Sequence, residues 1–479
     1  MLASFIKTDR KKATYYFQLL YGVTLLMSVI IFCSLPKTAM GEPSPVEISF
    51  KDVWSMVQEN APSEKASELE LDAIRIENER ALREKYPRLY MDVRAYSTDD
   101  PVLSFMSVLG QRQLQSSDFA PESLNEPGNQ FYQKATLGAD WNLYDGGLQN
   151  SKLRFEEKTL LAKTYAQKND TQELYYQTAL LYGTAMIFQE QATQLARLLD
   201  STQKLLEHYR IGVKDNPLGY SGLLGLKTVT NKIDELLSEN ESLTHSAKMA
   251  LEERAVKLPK LWSPMKNSGQ DPILAFVNSY LNPDNNSPEI KSGSPKTQML
   301  LLEAQASELQ IEGEKAKTRP RVGLYTEGYV YGGNRDIAPS YVLGLYLKWD
   351  LMSSDTYRKA DQAQVVANAL KARAEDFRLH EKIETESAYL SSLSLKKRII
   401  FMEEDSKLLE EQFQTSKKLY ATGSINVLQL VEVINQNIEL SSNLAHMETE
   451  YLKTIIAQAK GLGLGIPFAS EGSENARSR

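Results

Sequence analysis

The chain states one pattern twice. Pro62 and Pro87 stand 25 residues apart, as do Pro295 and Pro320. Each second proline is followed by an arginine (Arg88, Arg321) and then by alternating apolar and polar residues. Each alternating region ends at a tryptophan, Trp141 in "WNLYDGG" and Trp349 in "WDLMSSD". A stretch free of proline then runs 68 residues to Tyr209 and 71 to Tyr420, where the chain reads "YRIG" and "YATG". Matched punctuation at half-chain spacing predicts two similar structural units.

Residues 1–41 have the character of a secretory leader. Lys7, Arg10, Lys11 and Lys12 make a basic start, Leu19 to Leu35 is largely apolar, and Ala39-Met40-Gly41 offers small residues for a cut before Glu42. An uncleaved anchor is the alternative, although the apolar run is short for a spanning helix. The single cysteine, Cys33, lies in this leader, so the mature chain is expected to have no disulfide or thiol chemistry. Removing the leader takes away five basic residues and one acid and moves the formal charge from −7 to −11. An acidic exported chain is a poor partner for nucleic acid.

Ser49 and Asp52 mark a helix start, with Phe50, Val53, Trp54 and Val57 on one face. A second helix is expected from Pro62 to about Tyr86. Past Pro87 the period changes to two. Leu89, Met91 and Val93 oppose Tyr90, Asp92 and Arg94; Leu137, Trp141 and Leu143 oppose Lys134, Thr136, Asp140 and Asn142. The second unit sets Val322, Leu324 and Val330 against Arg321, Tyr325, Glu327 and Tyr329, then Leu343, Leu345 and Leu347 against Gly344, Tyr346 and Lys348. That is four strands of about ten residues, the length that crosses a bilayer at a tilt. A soluble sheet with one buried face is the alternative. The leader and the aromatics at strand ends favour the membrane. Four strands cannot close a barrel, and an open edge in lipid leaves backbone groups unpaired at several kcal/mol each. If these strands lie in a membrane, several chains must therefore share one barrel, and the strand pattern by itself does not fix how many.

The segments after the tryptophans predict helices of about 100 Å at 1.5 Å per residue. Asp355 to Thr422 has no proline or glycine, and Leu148 to Ile211 has no proline and only Gly183. Ile383/Leu390 and Leu393/Ile400 are spaced by seven, as in coiled-coil seams. The chain is expected to turn at Gly212 and Gly423 and return as helices of roughly half the length, ending near Leu258 and Lys460. Two segments break the repeat. The first unit has 25 extra residues between its two strands, within "STDDPVLSFMSVLGQRQLQSSDFAPESLNEPGNQ", and its distal turn, "IGVKDNPLGYSGLLGLK", is the longer one. Pro259 to Pro295 is polar and rich in Pro, Asn and Ser, and is expected to be an irregular outer linker. The boundaries are thus 1–41 leader, 42–258 first repeat, 259–294 linker or equatorial segment, 295–465 second repeat and 466–479 tail.

No catalytic constellation is present. His208, His245, His380 and His446 lie in helical stretches outside metal-ligand spacing, and no phosphate loop or Gly-x-Ser-x-Gly occurs. No enzyme activity, metal or cofactor is expected. Asp145 is expected to cap the first long helix, with Gly146 and Gly147 forming the strand-to-helix corner. Ser353, Ser354 and Asp355 are candidates for the same task in the second unit.

Taken together, Asn60-Ala61-Pro62, Tyr86-Pro87-Arg88-Leu89, "WNLYDGG" and the Tyr-x-x-Gly turns at Tyr209–Gly212 and Tyr420–Gly423 resemble the TolC-like outer-membrane efflux protein family. The resemblance covers nearly all of the mature chain. It implies a homotrimeric duct, mainly α with membrane β: a twelve-stranded β-barrel with four strands per chain, continuous with a long α-helical barrel in the periplasm. It implies an exit channel for tripartite pumps or type I secretion, joined by a periplasmic adaptor to an inner-membrane pump. It places Tyr209, Tyr420, Gln429 and Glu432 at the periplasmic entrance, and Gly212, Val213, Gly423 and Ser424 at adaptor-docking tips. Gln429 and Glu432 align where better-studied members have two aspartates, and Ile425 where they have a basic latch residue. A non-conducting periplasmic scaffold or adhesin anchored in the outer membrane is the alternative; the polar strand face favours a duct.

Overall fold

The computed structural model describes residues 45–209, 217–265, 272–281, 293–351 and 356–467. The leader with Cys33, the segment 353–355 and the tail from 468 lie outside these residues. The chain divides into two units, residues 1–48 with 259–263 and residues 49–258 with 264–479. The smaller carries a short ribbon of β1 (Val46–Ile48) and β4 (Trp262–Pro264). Val46 N–H donates to the Leu261 carbonyl at 3.0 Å.

The larger unit begins with α1 (Phe50–Asn60), where the Ser49 hydroxyl accepts from the Asp52 amide and donates to the Asp52 carboxylate. Phe50, Val53, Trp54 and Val57 are its buried face, as the periodicity predicts. α2 (Pro62–Arg83) starts on a proline, whose missing N–H costs nothing at that position. It buries only Leu71 and Ala81.

The sheet holds β2 (Arg88–Thr98), β3 (Gln130–Tyr144), β5 (Arg321–Gly332) and β6 (Ala338–Lys348), antiparallel in that order. Register pairs Met91 with Leu137, Trp141 with Leu324, and Leu324 with Leu345. These residues share one face. It is apolar and bare: Met91 is 75% exposed, Leu343 64% and Leu345 70%. Among the described residues both outer strands, β2 and β6, have an unpaired edge. The 25 extra residues between β2 and β3 are not plain loop. They form α3 (Pro101–Gly110), a 3₁₀ turn (Ser116–Phe119) and α4 (Pro121–Asn125).

The long helices are α5 (Leu148–Glu207, 60 residues) and α9 (Lys359–Ala421, 63 residues). They return as α6 (Pro217–Arg254, 38 residues) and α10 (Val427–Gly461, 35 residues). At 1.5 Å per residue the long pair are each roughly 90–95 Å in length. No described helix is long and apolar enough to cross a membrane. On the half towards the strands, α8 (Pro295–Ala316) completes a row in the order α2, α5, α8, α9. On the other half α10 packs between α9 and the α5–α6 pair.

The seam that α9 buries within the chain is built from small and polar residues. Ala367, Ala374, Glu381 and Ala388 recur every seven residues, as do Thr385, Ser392 and Ile399, with Phe413 two heptads beyond. The apolar heptad positions visible in the sequence lie elsewhere on the helix. Ile383 and Leu390 are 57% and 67% exposed, and Leu393 and Ile400 are more than two-fifths exposed. This second seam has no partner within the described residues of one chain.

The linker is more structured than its composition suggests. α7 (Pro272–Phe276) continues as a π-turn (Val277–Leu281), and Ile273, Phe276, Val277 and Leu281 are buried. The Phe276 ring meets Phe50 edge-on at 5.2 Å, and Tyr175 donates its hydroxyl to the Tyr280 carbonyl at 2.7 Å. A few large apolar residues in a polar segment suffice to dock it.

Candidate functional site: the helical tips and the strand–helix corners

The second distal turn is a complete helix stop and restart. Thr422 caps α9, and Gly423 follows with φ +74°. The Gly423 amide donates to Tyr420 O at 3.0 Å and the Ser424 amide to Leu419 O at 2.9 Å. That pair of bonds defines the Schellman arrangement, which needs a left-handed residue at the glycine. Asn426 then opens α10 with a reciprocal capping box: its side chain accepts from the Gln429 amide, and the Gln429 side chain accepts from the Asn426 amide, both at 3.0 Å. Gln429 therefore has a local structural task at the tip. A methyl group at Gly423 would meet nothing within 4 Å, so this turn is open to approach. Gly212 and Val213 of the first turn lie outside the described residues.

Behind the tip the four long helices share one apolar core. Leu195 of α5, Leu226, Val229 and Ile233 of α6, Phe413 of α9 and Leu430, Ile434 and Ile438 of α10 are buried in it. Tyr209 and Tyr420 both pack on its edge. Burial raises both phenols above the usual tyrosine range, and for Tyr420 the neighbouring Tyr209 adds to this. Tyr209 donates its hydroxyl to the Gly219 carbonyl at 2.8 Å and so ties the end of α5 to the start of α6. The two tyrosines that the repeat marks are thus brought together. Gly222, which carries no sequence signal of its own, sits where a methyl group would fall 2.0 Å from Val427. It lets α6 approach α10 beneath the turn.

Glu432 is exposed, one turn beyond Gln429 and on the same face of α10. Its carboxylate accepts from Gln436 Nε2 at 3.2 Å. Among the described residues that partner is a neutral amide. Ile425 supplies no base there.

At the other end of α5, Asp145 accepts from the Gly147 amide at 3.0 Å and from the Gln149 amide at 2.7 Å. One carboxylate thus satisfies two free amides at the helix start. Gly146 and Gly147 have φ of +75° and +96°. Arg319, just before the proline of the second repeat, donates from its guanidinium to the Gly146 carbonyl at 2.8 Å. The corner is therefore stitched to the opposite repeat, a contact that the spacing does not reveal.

The polar face of the sheet is also networked. The Tyr90 and Tyr329 hydroxyls both donate to the Glu327 carboxylate, and Lys134 Nζ stands 4.5 Å from the Tyr329 ring centroid. Tyr346 donates to Asp140 and Asn142 at 3.2 and 2.9 Å. Alternation put these residues on one face; their mutual contacts needed the register. No group of three or more His, Cys, Asp or Glu able to hold a metal ion occurs among the described residues.

No family model and no curated protein sequence matches the chain. Solved structures do. The CusC channel, described for conformational changes accompanying folding and transmembrane channel formation, is 14% identical with a TM-score of 0.73 over 89% of this chain and 96% of its own. The CmeC outer-membrane channel of Campylobacter jejuni is 11% identical with a TM-score of 0.73 over 91% and 93%. The chain shares the fold of these solved channels. The open state of the MtrE outer-membrane channel of Neisseria gonorrhoeae is 12% identical with a TM-score of 0.68 over 87% and 89%.

Proposed function

We propose that three copies of this chain form a passive exit duct in the outer membrane. An adaptor would open it from the periplasmic side and an inner-membrane pump would load it, in drug efflux or type I secretion. The observation that carries this reading is one of unfinished edges. β2 and β6 leave both edges of the sheet unpaired. The row of helices likewise ends on α2, with Leu69 and Ile76 60% and 66% exposed, and on α9, with the bare seam through Ile383 and Leu390. Two different unpaired edges at each level call for a head-to-tail ring, in which one edge of a copy meets the other edge of the next. In lipid the requirement is absolute, because open strand edges do not persist there. Three copies supply twelve strands, as the resemblance implies.

The bare apolar strand face would then meet outer-membrane lipid and the polar face, with Glu327, Lys134 and Tyr346, would line an aqueous lumen. The tips at Gly212, Val213, Gly423 and Ser424 would receive the adaptor. Tyr209, Tyr420, Gln429 and Glu432 would border the entrance. Native mass measurement in detergent and planar-bilayer recording of the purified protein test the reading together. A trimer that conducts supports it; a stable folded monomer, or a trimer with no conductance under any opening condition, overturns it.

A further inference from the structure

α3 is amphipathic in the inverted sense. Ser104, Ser107 and Gln111, one helical face, are 2%, 5% and 1% exposed. Val102, Met106 and Leu109, on the opposite face, are 71%, 56% and 43% exposed. A helix docked on a soluble surface presents the reverse pattern. The polar side of α3 is held by the polar face of the sheet. Tyr96 and Ser107 share a 2.8 Å hydroxyl bond, and Gly110 abuts the Tyr331 ring. Gln111 accepts from the Arg335 and Asp336 amides of the β5–β6 connection at 3.2 and 3.3 Å. Tyr96 and Tyr331 alternate in register with Arg94 and Tyr329, so they belong to the face that would line a lumen. α3 therefore lies against the polar face, at the strand ends remote from the long helices. Its apolar side points away from the sheet and, in a closed ring, would face the lumen and not lipid.

We propose that the apolar sides of three α3 helices, one from each copy, meet across the outer mouth of the shared barrel and close it as a hydrophobic constriction. The inference rests on the reading of the chain as one third of a closed barrel. In that ring the occupant of each α3 face is α3 of the other copies, because the sheet and its connections already hold the polar side. Val102, Met106 and Leu109 would leave a narrow apolar neck, and such necks stop ions by excluding water. The Arg335–Asp118 ion pair, which joins the β5–β6 connection to the segment after α3, would hold each helix at the rim.

The test is thiol cross-linking in a Cys33→Ser background with Met106→Cys, set beside Leu345→Cys on the outward strand face. With a short bis-maleimide added to the detergent-solubilised or membrane-embedded protein, Met106→Cys should give covalently linked copies and Leu345→Cys none. Leu345→Cys, but not Met106→Cys, should react with a lipid-phase maleimide. The triple variant Val102→Ser, Met106→Ser, Leu109→Ser should raise basal bilayer conductance several-fold. A conducting trimer in which Met106→Cys does not cross-link, or reacts with the lipid-phase reagent, overturns the inference and leaves the duct reading intact. A monomer overturns both.

Discussion

The indole Nε1–H of Trp349 donates to the backbone carbonyl of Thr318 at 3.0 Å. Trp141 does the same to Lys85 at 3.0 Å. In both repeats the accepting carbonyl lies two residues before the motif proline, Pro320 or Pro87. A carbonyl beyond the last helical turn has no partner along the helix, and the tryptophan supplies one. The bond ties the end of a strand to the chain end that feeds the neighbouring strand, which explains why proline and tryptophan recur together. Replacing Trp141 or Trp349 by Phe keeps most of the ring and removes the donor. Each change should lower stability by about 1 kcal/mol, the net worth of such a bond. Thermal unfolding of the solubilised assembly reads this, and no shift from either variant would remove the bond from the account.

The two corner glycines should differ in tolerance. Both have positive φ, so alanine is strained at either. At Gly146 the added methyl would also lie 2.6 Å from the Ala316 carbonyl oxygen and 2.8 Å from Arg319 Cβ, while at Gly147 the nearest atom is 3.6 Å away. Gly147→Ala should cost about 1 kcal/mol, and Gly146→Ala clearly more, because backbone must move. Side-by-side denaturation of the two variants decides; equal costs would mean that the corner yields without strain.

Asp118 gives the outer connection a pH dependence. The Arg335 guanidinium and the Gln115 amide hold its carboxyl at about 2, below the ordinary 3.8. A carboxylate with a depressed folded value contributes fully above its unfolded value and loses the contribution as pH falls through the folded one. The contact should therefore be intact at pH 5 and be lost between about pH 4 and 2. Protease nicking of residues 99–129 as a function of pH measures this. Asp118→Asn should raise nicking at neutral pH and flatten the profile; an unchanged profile would free Asp118 from the role.

At the tips, Gly423→Asn keeps a left-handed residue in the turn while adding a side chain to open space. Ser424→Trp adds bulk with no demand on φ. Paired with bulky changes at Gly212 and Val213, these should abolish export while the trimer survives on native gels. Export at the parental level with all four sites filled would exclude the tips as the adaptor contact.

Much of the architecture is legible in the sequence because its periods are long and clean. The strands show two-residue alternation, and Asp145-Gly146-Gly147 spells out its own corner. Three features escape for physical reasons. The internal seam of α9 is made of Ala367, Ala374, Thr385 and Ser392, which carry little hydrophobic signal, whereas the conspicuous Ile383 and Leu390 face away from the chain's own core. α3 is hidden because its apolar residues are on the exposed side. The Arg319–Gly146 bond and the Glu327 network join residues 173 or more positions apart, or across a register that only the folded sheet sets.

Glu432 is the residue by which charge at the proposed entrance can be tested. Its carboxylate is exposed, its hydrogen bond comes from neutral Gln436, and Gln429 beside it is held in the capping box. In a trimer three such carboxylates near the axis would attract cations, as acidic rings do in channels. Gln429 carries no charge and Ile425 offers no base, so closure would depend on the packing of Tyr209 and Tyr420 more than on ion pairs. Glu432→Gln should reduce cation preference and relieve block by divalent or trivalent cations in single-channel recordings, with stability little changed because the side chain is exposed and its hydrogen bond is to a surface amide. Gln429→Ala should instead weaken the tip by roughly 0.5–1 kcal/mol through the lost cap and leave ion selectivity alone. If Glu432→Gln keeps the parental selectivity and block, the carboxylate is remote from the pore and the alignment of α10 with the entrance is wrong.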